Sequence, residues 1–165
     1  MTTPAGRDRD PAGRPRNARP RDGLGRPLPR GAAEGEPRVP DDLLLPPAES
    51  LALAQQMLAE GRPFHAHEVL EASWKAAPAA ERDFWQGLAQ LAVGLTHARR
   101  GNDRGAVTLL RRGAARIRPY AGTDPHGVPA AQVAAAAATL ADRIERDGLP
   151  ALPATALSLE LRPGS

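Results

Sequence analysis

From Pro46 onward the apolar residues recur at helical spacing, and no stretch alternates long enough between apolar and polar positions to form a sheet. Leu51, Ala54 and Leu58 make one stripe over about 48–60, which Gly61 stops. Pro63 sits where a first-turn proline is tolerated, and a second helix is expected over about 64–76. Its apolar residues Phe64, Val69, Leu70 and Trp74 do not share one face, which predicts burial on more than one side. Pro78 opens a third helix over about 79–100, with Leu88, Leu91, Ala92 and Leu95 inward. Gly101-Asn102 combines a C-terminal stop with an N-cap, so the third and fourth helices are expected to form a tight antiparallel hairpin. The fourth helix covers about 103–118, turns Ala106, Leu109, Leu110, Gly113 and Ile117 inward, and ends at Pro119.

A Gly- and Pro-rich loop at 119–128 leads to a fifth helix over about 129–147, with Val133, Ala137, Leu140 and Ile144 as its stripe and Gly148 closing it. Its alanine run favours a helix but offers little side chain for docking. The Pro-punctuated tail 149–165 holds Leu157, Leu159 and Leu161, which suit a short docked extended segment. The expectation is an all-α fold: a small helical bundle of about five helices over 45–148, built on antiparallel hairpins. Two such hairpins resemble tetratricopeptide units, but no 34-residue repeat is present, which argues against a solenoid.

Charge changes this picture at one end only. The 165 residues carry 22 Lys+Arg and 19 Asp+Glu. Residues 1–40 hold nine Arg, five acidic groups, eight Pro and six Gly, and almost no large apolar side chains. Such a segment cannot bury enough apolar surface to offset the entropy of ordering it, so a disordered Arg/Pro/Gly-rich tail is expected. The remaining residues carry 13 basic and 14 acidic groups, a near-neutral domain. Zero cysteine excludes disulfides, thiolate metal sites and a cysteine nucleophile. No run of about 18 apolar residues offers a membrane span, and the first thirty residues lack the apolar core of a secretory signal. The expected location is cytoplasmic.

The polar residues that do not fit simple amphipathicity lie on the second and third helices. At about 100° per residue, His67, Glu71 and Trp74 fall within roughly 60° of one another, as do Gln86, Gln90, Val93 and His97. If those helices are antiparallel neighbours, His67, Glu71, Gln90 and His97 converge. His65 falls on the other side of its helix, where solvent exposure is expected, and His126 in its loop is given no role.

The blocks His67-Glu68-Val69-Leu70-Glu71 with Trp74, then Gln86 to Ala92 with His97, Gly101-Asn102 and Gly105-Ala106, resemble the family called domain of unknown function 309, with its HExLExxW motif. The resemblance covers about residues 50–118. It implies a small all-helical domain without an established biochemical activity, and it singles out His67, Glu68, Glu71, Trp74, Gln90 and His97.

Three chemistries suit these residues. A divalent metal site would draw on the i,i+4 pair His67 and Glu71 with His97 as third ligand, and Glu68 as candidate acid/base; the helical two-histidine zinc signature is absent, because Glu71 stands at the second histidine's position. A buried hydrogen-bond network would orient His67 through Glu71, satisfy the remaining groups with Gln90 and cover them with Trp74. A small polar ligand could bind there without metal.

A basic face completes the inventory. Arg104, Arg111 and Arg118 recur every seven residues on the fourth helix, and Arg112 broadens the face into a candidate docking surface. Nucleic acid is disfavoured, because no aromatic residues are interleaved for stacking and no helix-turn-helix pattern precedes the arginines. The sequence therefore supports a binding module for a protein partner or small polar ligand, with a metal-dependent hydrolase-like enzyme as the alternative.

Overall fold

The computed structural model describes residues 44–161. The Arg/Pro-rich segment 1–40 lies outside the described residues. Five helices follow in order: α1 (Pro47–Ala59), α2 (Pro63–Ala76), α3 (Arg82–Arg99), α4 (Asp103–Ile117) and α5 (Ala130–Asp147). Short 3-10 turns at Ala79–Glu81, Arg118–Tyr120, Pro125–Gly127, Leu149–Ala151 and Ala154–Ala156 make up the connections, and no strand occurs among the described residues.

Local chemistry sets the ends. Gly61, Gly101 and Gly148 adopt φ of 75°, 78° and 80°, the left-handed backbone that stops a helix at little cost only for glycine. Asn102 caps α4, its Oδ1 accepting the Gly105 N–H at 3.0 Å. The third helix starts later than its apolar pattern predicts. Pro78 is followed by a 3-10 turn, and α-helical geometry begins at Arg82.

Each helix packs chiefly on its neighbours in the sequence. Between α3 and α4 the contacts run in opposite senses along the two helices. A Cβ at Gly87 would lie 2.7 Å from Ile117 Cγ1, one at Gly94 would lie 3.0 Å from Leu110 Cγ, and one at Gly105 would lie 3.0 Å from His97 Cγ. Gly113 meets Leu91 Cδ2 at 2.5 Å and the Gly87 carbonyl at 2.8 Å by the same measure, so backbone lies almost on backbone here. Across the other flank of α4, Arg111 binds Asp142 and Glu145 of α5, and Asp103 accepts the Leu149 N–H at 3.1 Å.

The predicted stripes are buried: Leu51, Ala54 and Leu58; Leu88, Leu91, Ala92 and Leu95; Ala106, Leu110, Gly113 and Ile117; Val133, Ala137, Leu140 and Ile144. Two expectations need correction. Leu109 is half-buried rather than inward, because the close α3–α4 contact is centred on Gly113 and Leu110. Trp74 is also half-buried at the edge of the core, whereas the fully enclosed indole is Trp85 of α3, at 2% exposure, with Phe84 beside it.

The chain beyond α5 adds to the same core. Leu157, Leu159 and Leu161 are buried, alternating along an extended segment. The Gln55 side chain serves this segment as a neighbouring strand would: Oε1 accepts the Leu161 N–H and Nε2 donates to the Leu159 carbonyl at 3.4 Å. Arg99 donates to the Leu157 carbonyl.

Candidate functional site

Helix α2 lies between α1 and α3, and its two histidines face different surroundings. His65 is fully buried with Ala66, Val69, Leu70 and Ser73, which corrects the expected exposure. The reason is that α2 is covered on two flanks, so its inward arc is wider than one amphipathic stripe. His67, about 200° around the helix, is half-buried.

His67 Nε2 lies 3.4 Å from Glu71 Oε2, one turn along, and Glu71 Oε1 lies 3.2 Å from Lys75 Nζ. The Phe64 ring lies 5.9 Å from the His67 ring. Burial lowers the His67 pKa below its ordinary value; the Glu71 carboxylate opposes that shift and Lys75 adds to it. His67 Nδ1 is buried without a hydrogen-bond partner, and so is Gln90 Oε1 on half-buried Gln90 of α3. The expected network is therefore open among the described residues: Gln90 does not complete it. Glu68 is half-buried on α2.

His97 behaves differently from the prediction. Its Nδ1 faces the Asn102 Nδ2–H at 3.1 Å, at the turn into α4. Its pKa is lowered by burial and by the nearby Arg100. No group of three or more His, Asp or Glu side chains is placed to hold a metal ion among the described residues, so His67, Glu71 and His97 do not form a three-donor set. One helical i,i+4 pair supplies two donors, and the third is held at the hairpin turn by its own amide partner.

The arginine face is partly spent on structure. Arg111, expected to be free for docking, forms ion pairs of 3.0 Å to Asp142 and 2.7 Å to Glu145, and Arg116 reaches Asp83 of α3 at 2.9 Å. Helix α4 sits between α3 and α5, so arginines on its flanks meet acids of both neighbours. Arg104, Arg112 and Arg118 stay exposed, with no ion pair among the described residues.

A second polar cluster was invisible along the sequence. Glu81 Oε1 accepts the Trp85 Nε1–H at 3.3 Å and meets His126 Nε2 at 2.5 Å, while the His126 and Trp85 rings lie 5.6 Å apart. His126, given no role by the sequence, is thus the distal end of a Trp–Glu–His line. The loop that presents it holds two non-glycine residues at positive φ, Asp124 at 44° and His126 at 54°. Each such residue costs on the order of 1–3 kcal/mol and persists only where surrounding contacts impose it. Those contacts are Asp124 Oδ1 with the Ala130 N–H, Tyr120 Oη donating to the Ala80 carbonyl at 2.7 Å, and the Glu81 pair itself. The local signal was a lone histidine in a Gly/Pro loop; its partner lies 45 residues away.

Residues 51–109 match the family model described as Domain of unknown function (DUF309). The matched segment runs from α1 into α4, so it contains the His67–Glu71 pair, Gln90 and the Asn102 cap. It leaves α5, His126 and the Leu157–Leu161 segment outside. The "Uncharacterized protein YpuF" of Bacillus subtilis (strain 168) is 48% identical over 48 residues, 28% of this chain and 28% of the relative. The chain thus matches well under a third of that relative's length. No solved structure matches significantly. No helix among the described residues is long and apolar enough to cross a membrane.

Proposed function

We propose that the chain is a helical binding module whose recognition element is the half-buried line His67, Glu71 and Gln90 on α2 and α3, and that it takes a small polar ligand rich in hydrogen-bond donors. One observation carries this reading: two buried acceptor atoms, His67 Nδ1 and Gln90 Oε1, have no hydrogen-bond partner. A carboxylate only accepts, so Glu71 beside Nε2 favours the imidazole tautomer protonated at Nε2. Burial lowers its pKa and so disfavours the charged ring, and the neutral ring carries a bare lone pair on Nδ1. Gln90 presents a carbonyl oxygen. Each orphaned acceptor costs about 1–3 kcal/mol, and a bound donor recovers it.

A molecule bearing ammonium, amide or guanidinium N–H groups matches these acceptors: a carboxylate and an imidazole lone pair on α2 and an amide oxygen on α3. With no cysteine in the chain and no three-donor group among the described residues, binding suits these side chains better than nucleophilic or metal-assisted chemistry. The test is native mass spectrometry and small-molecule extraction on the full chain purified without denaturant, beside His67→Phe and Gln90→Leu. A co-purifying, nitrogen-rich small molecule lost from both variants supports the reading. A molecule retained by both variants, or none in any sample, overturns it. Recovery of a bound protein chain that depends on both residues would reassign the line to a partner.

A further inference from the structure

A groove of about 520 Å3 opens where the C-terminal end of α2, the N-terminal end of α3 and the His126 loop meet. Its size is that of small-molecule sites rather than of folded partners. Its walls are apolar: Leu44, Pro46, Ala77, Pro78 and Trp85 contribute to them, and Leu44 at its edge is 64% exposed. Among the described residues, Glu81 is the only Asp, Glu, Lys or Arg side chain lining it. Oε1 of Glu81 is engaged by Trp85 and His126, whereas Oε2 has no hydrogen-bond partner among the described residues. The strained Asp124–His126 backbone holds the imidazole at this wall, and such strain concentrates where a site must be fixed before a ligand arrives.

From this we infer that the groove binds a small amphiphilic amine, its apolar body against the proline and leucine wall and its ammonium group against Glu81. Charge complementarity selects the head group. An apolar ligand body strips water from the open oxygen of this carboxylate; an anionic molecule would repel it and a neutral one would offer at most a weaker donor, whereas an ammonium gives it a charge-assisted hydrogen bond. The apolar walls select the body, since a bare ammonium ion would leave them wet. The site is independent of the α2–α3 line, and it lies in part outside the DUF309 match, because His126 does.

The full chain, labelled with nitrogen-15, is titrated at about pH 8, above the ordinary imidazole range, with 2-phenylethylamine, 2-phenylethanol and phenylacetate. The reporter is the Trp85 indole N–H, which is bonded to Glu81. The amine is expected to shift this resonance saturably and to bind roughly tenfold tighter than the alcohol, about 1.4 kcal/mol, with phenylacetate weakest. Glu81→Gln should bring the amine to the alcohol's affinity. Ala77→Phe, which fills the groove while sparing the carboxylate, should abolish binding of both with the Trp85 resonance unmoved in the free protein. Equal affinity for amine and alcohol, preference for phenylacetate, absence of any saturable shift, or amine binding that survives Ala77→Phe would overturn the inference.

Discussion

The Asn102 amide joins His97 to the start of α4: Nδ2 donates to His97 Nδ1 at 3.1 Å while Oδ1 accepts the Gly105 N–H at 3.0 Å. One side chain thus caps a helix and fixes the last inward histidine of the preceding one. This pairing accounts for His97 standing apart from His67 and Glu71, although all three lie on half-buried helix faces.

Asn102→Ala removes both bonds. Loss of an N-cap costs about 0.5–2 kcal/mol, and the urea unfolding midpoint should fall accordingly. Asn102→Asp keeps the cap oxygen but not the amide N–H, and should recover most of that loss; equal losses in the two variants would show that capping is not what Asn102 contributes.

The α3–α4 contact predicts a sharp penalty for the smallest enlargement. Gly113→Ala places a methyl 2.5 Å from Leu91 Cδ2 and 2.8 Å from the Gly87 carbonyl. Overpacking against backbone should cost about 1–3 kcal/mol. Gly101→Ala meets nothing within 4 Å and is strained only through its φ of 78°, so it should cost about 1 kcal/mol. A neutral Gly113→Ala in chemical denaturation would mean the helices are further apart.

The two tryptophans should separate clearly. Trp85 is 2% exposed and Trp74 only half-buried. Trp85→Ala is expected to cost about 3–5 kcal/mol and Trp74→Ala about 1–2 kcal/mol. The reverse order in equilibrium denaturation would contradict the assignment of the core indole.

Acid should weaken the fold through its histidines. His67 and His97 both have pKa values below 6.5, chiefly through burial, so the native chain binds fewer protons than the unfolded one once the pH drops below that value. The contribution of both groups is whole above about pH 6.5 and is lost as pH falls from there through their folded values. Urea midpoints measured at about pH 7.5 and about pH 5.5 should decline for the wild type, and less for His67→Gln. An identical decline in the variant would remove His67 as a source of the dependence.

Legibility along the chain follows the range of the forces involved. Helix ends were readable because they depend on residues within a turn of one another: left-handed glycines at 61, 101 and 148, the proline at 63 and the Asn102 cap. The His67–Glu71 pair was readable for the same reason, being one turn apart on one helix. Helical spacing also gave the inward direction of most apolar residues. It gave no account of what lies in the opposite direction. His65 and His67 differ in burial because α2 is covered on two flanks, and Trp85 rather than Trp74 fills the core because of where α3 sits.

The sequence by itself thus determined the all-helical class, the breaks between helices and the stripes that face inward, since backbone conformation and amphipathic period are properties of neighbouring residues. Only the tertiary structure decided which side chains meet. It brought His126 to Glu81 across 45 residues, laid Leu159 and Leu161 along Gln55 across more than 100, and spent Arg111 on Asp142 and Glu145 instead of leaving it for a partner. Such pairings depend on how whole helices are placed in space, and no period along the chain encodes them.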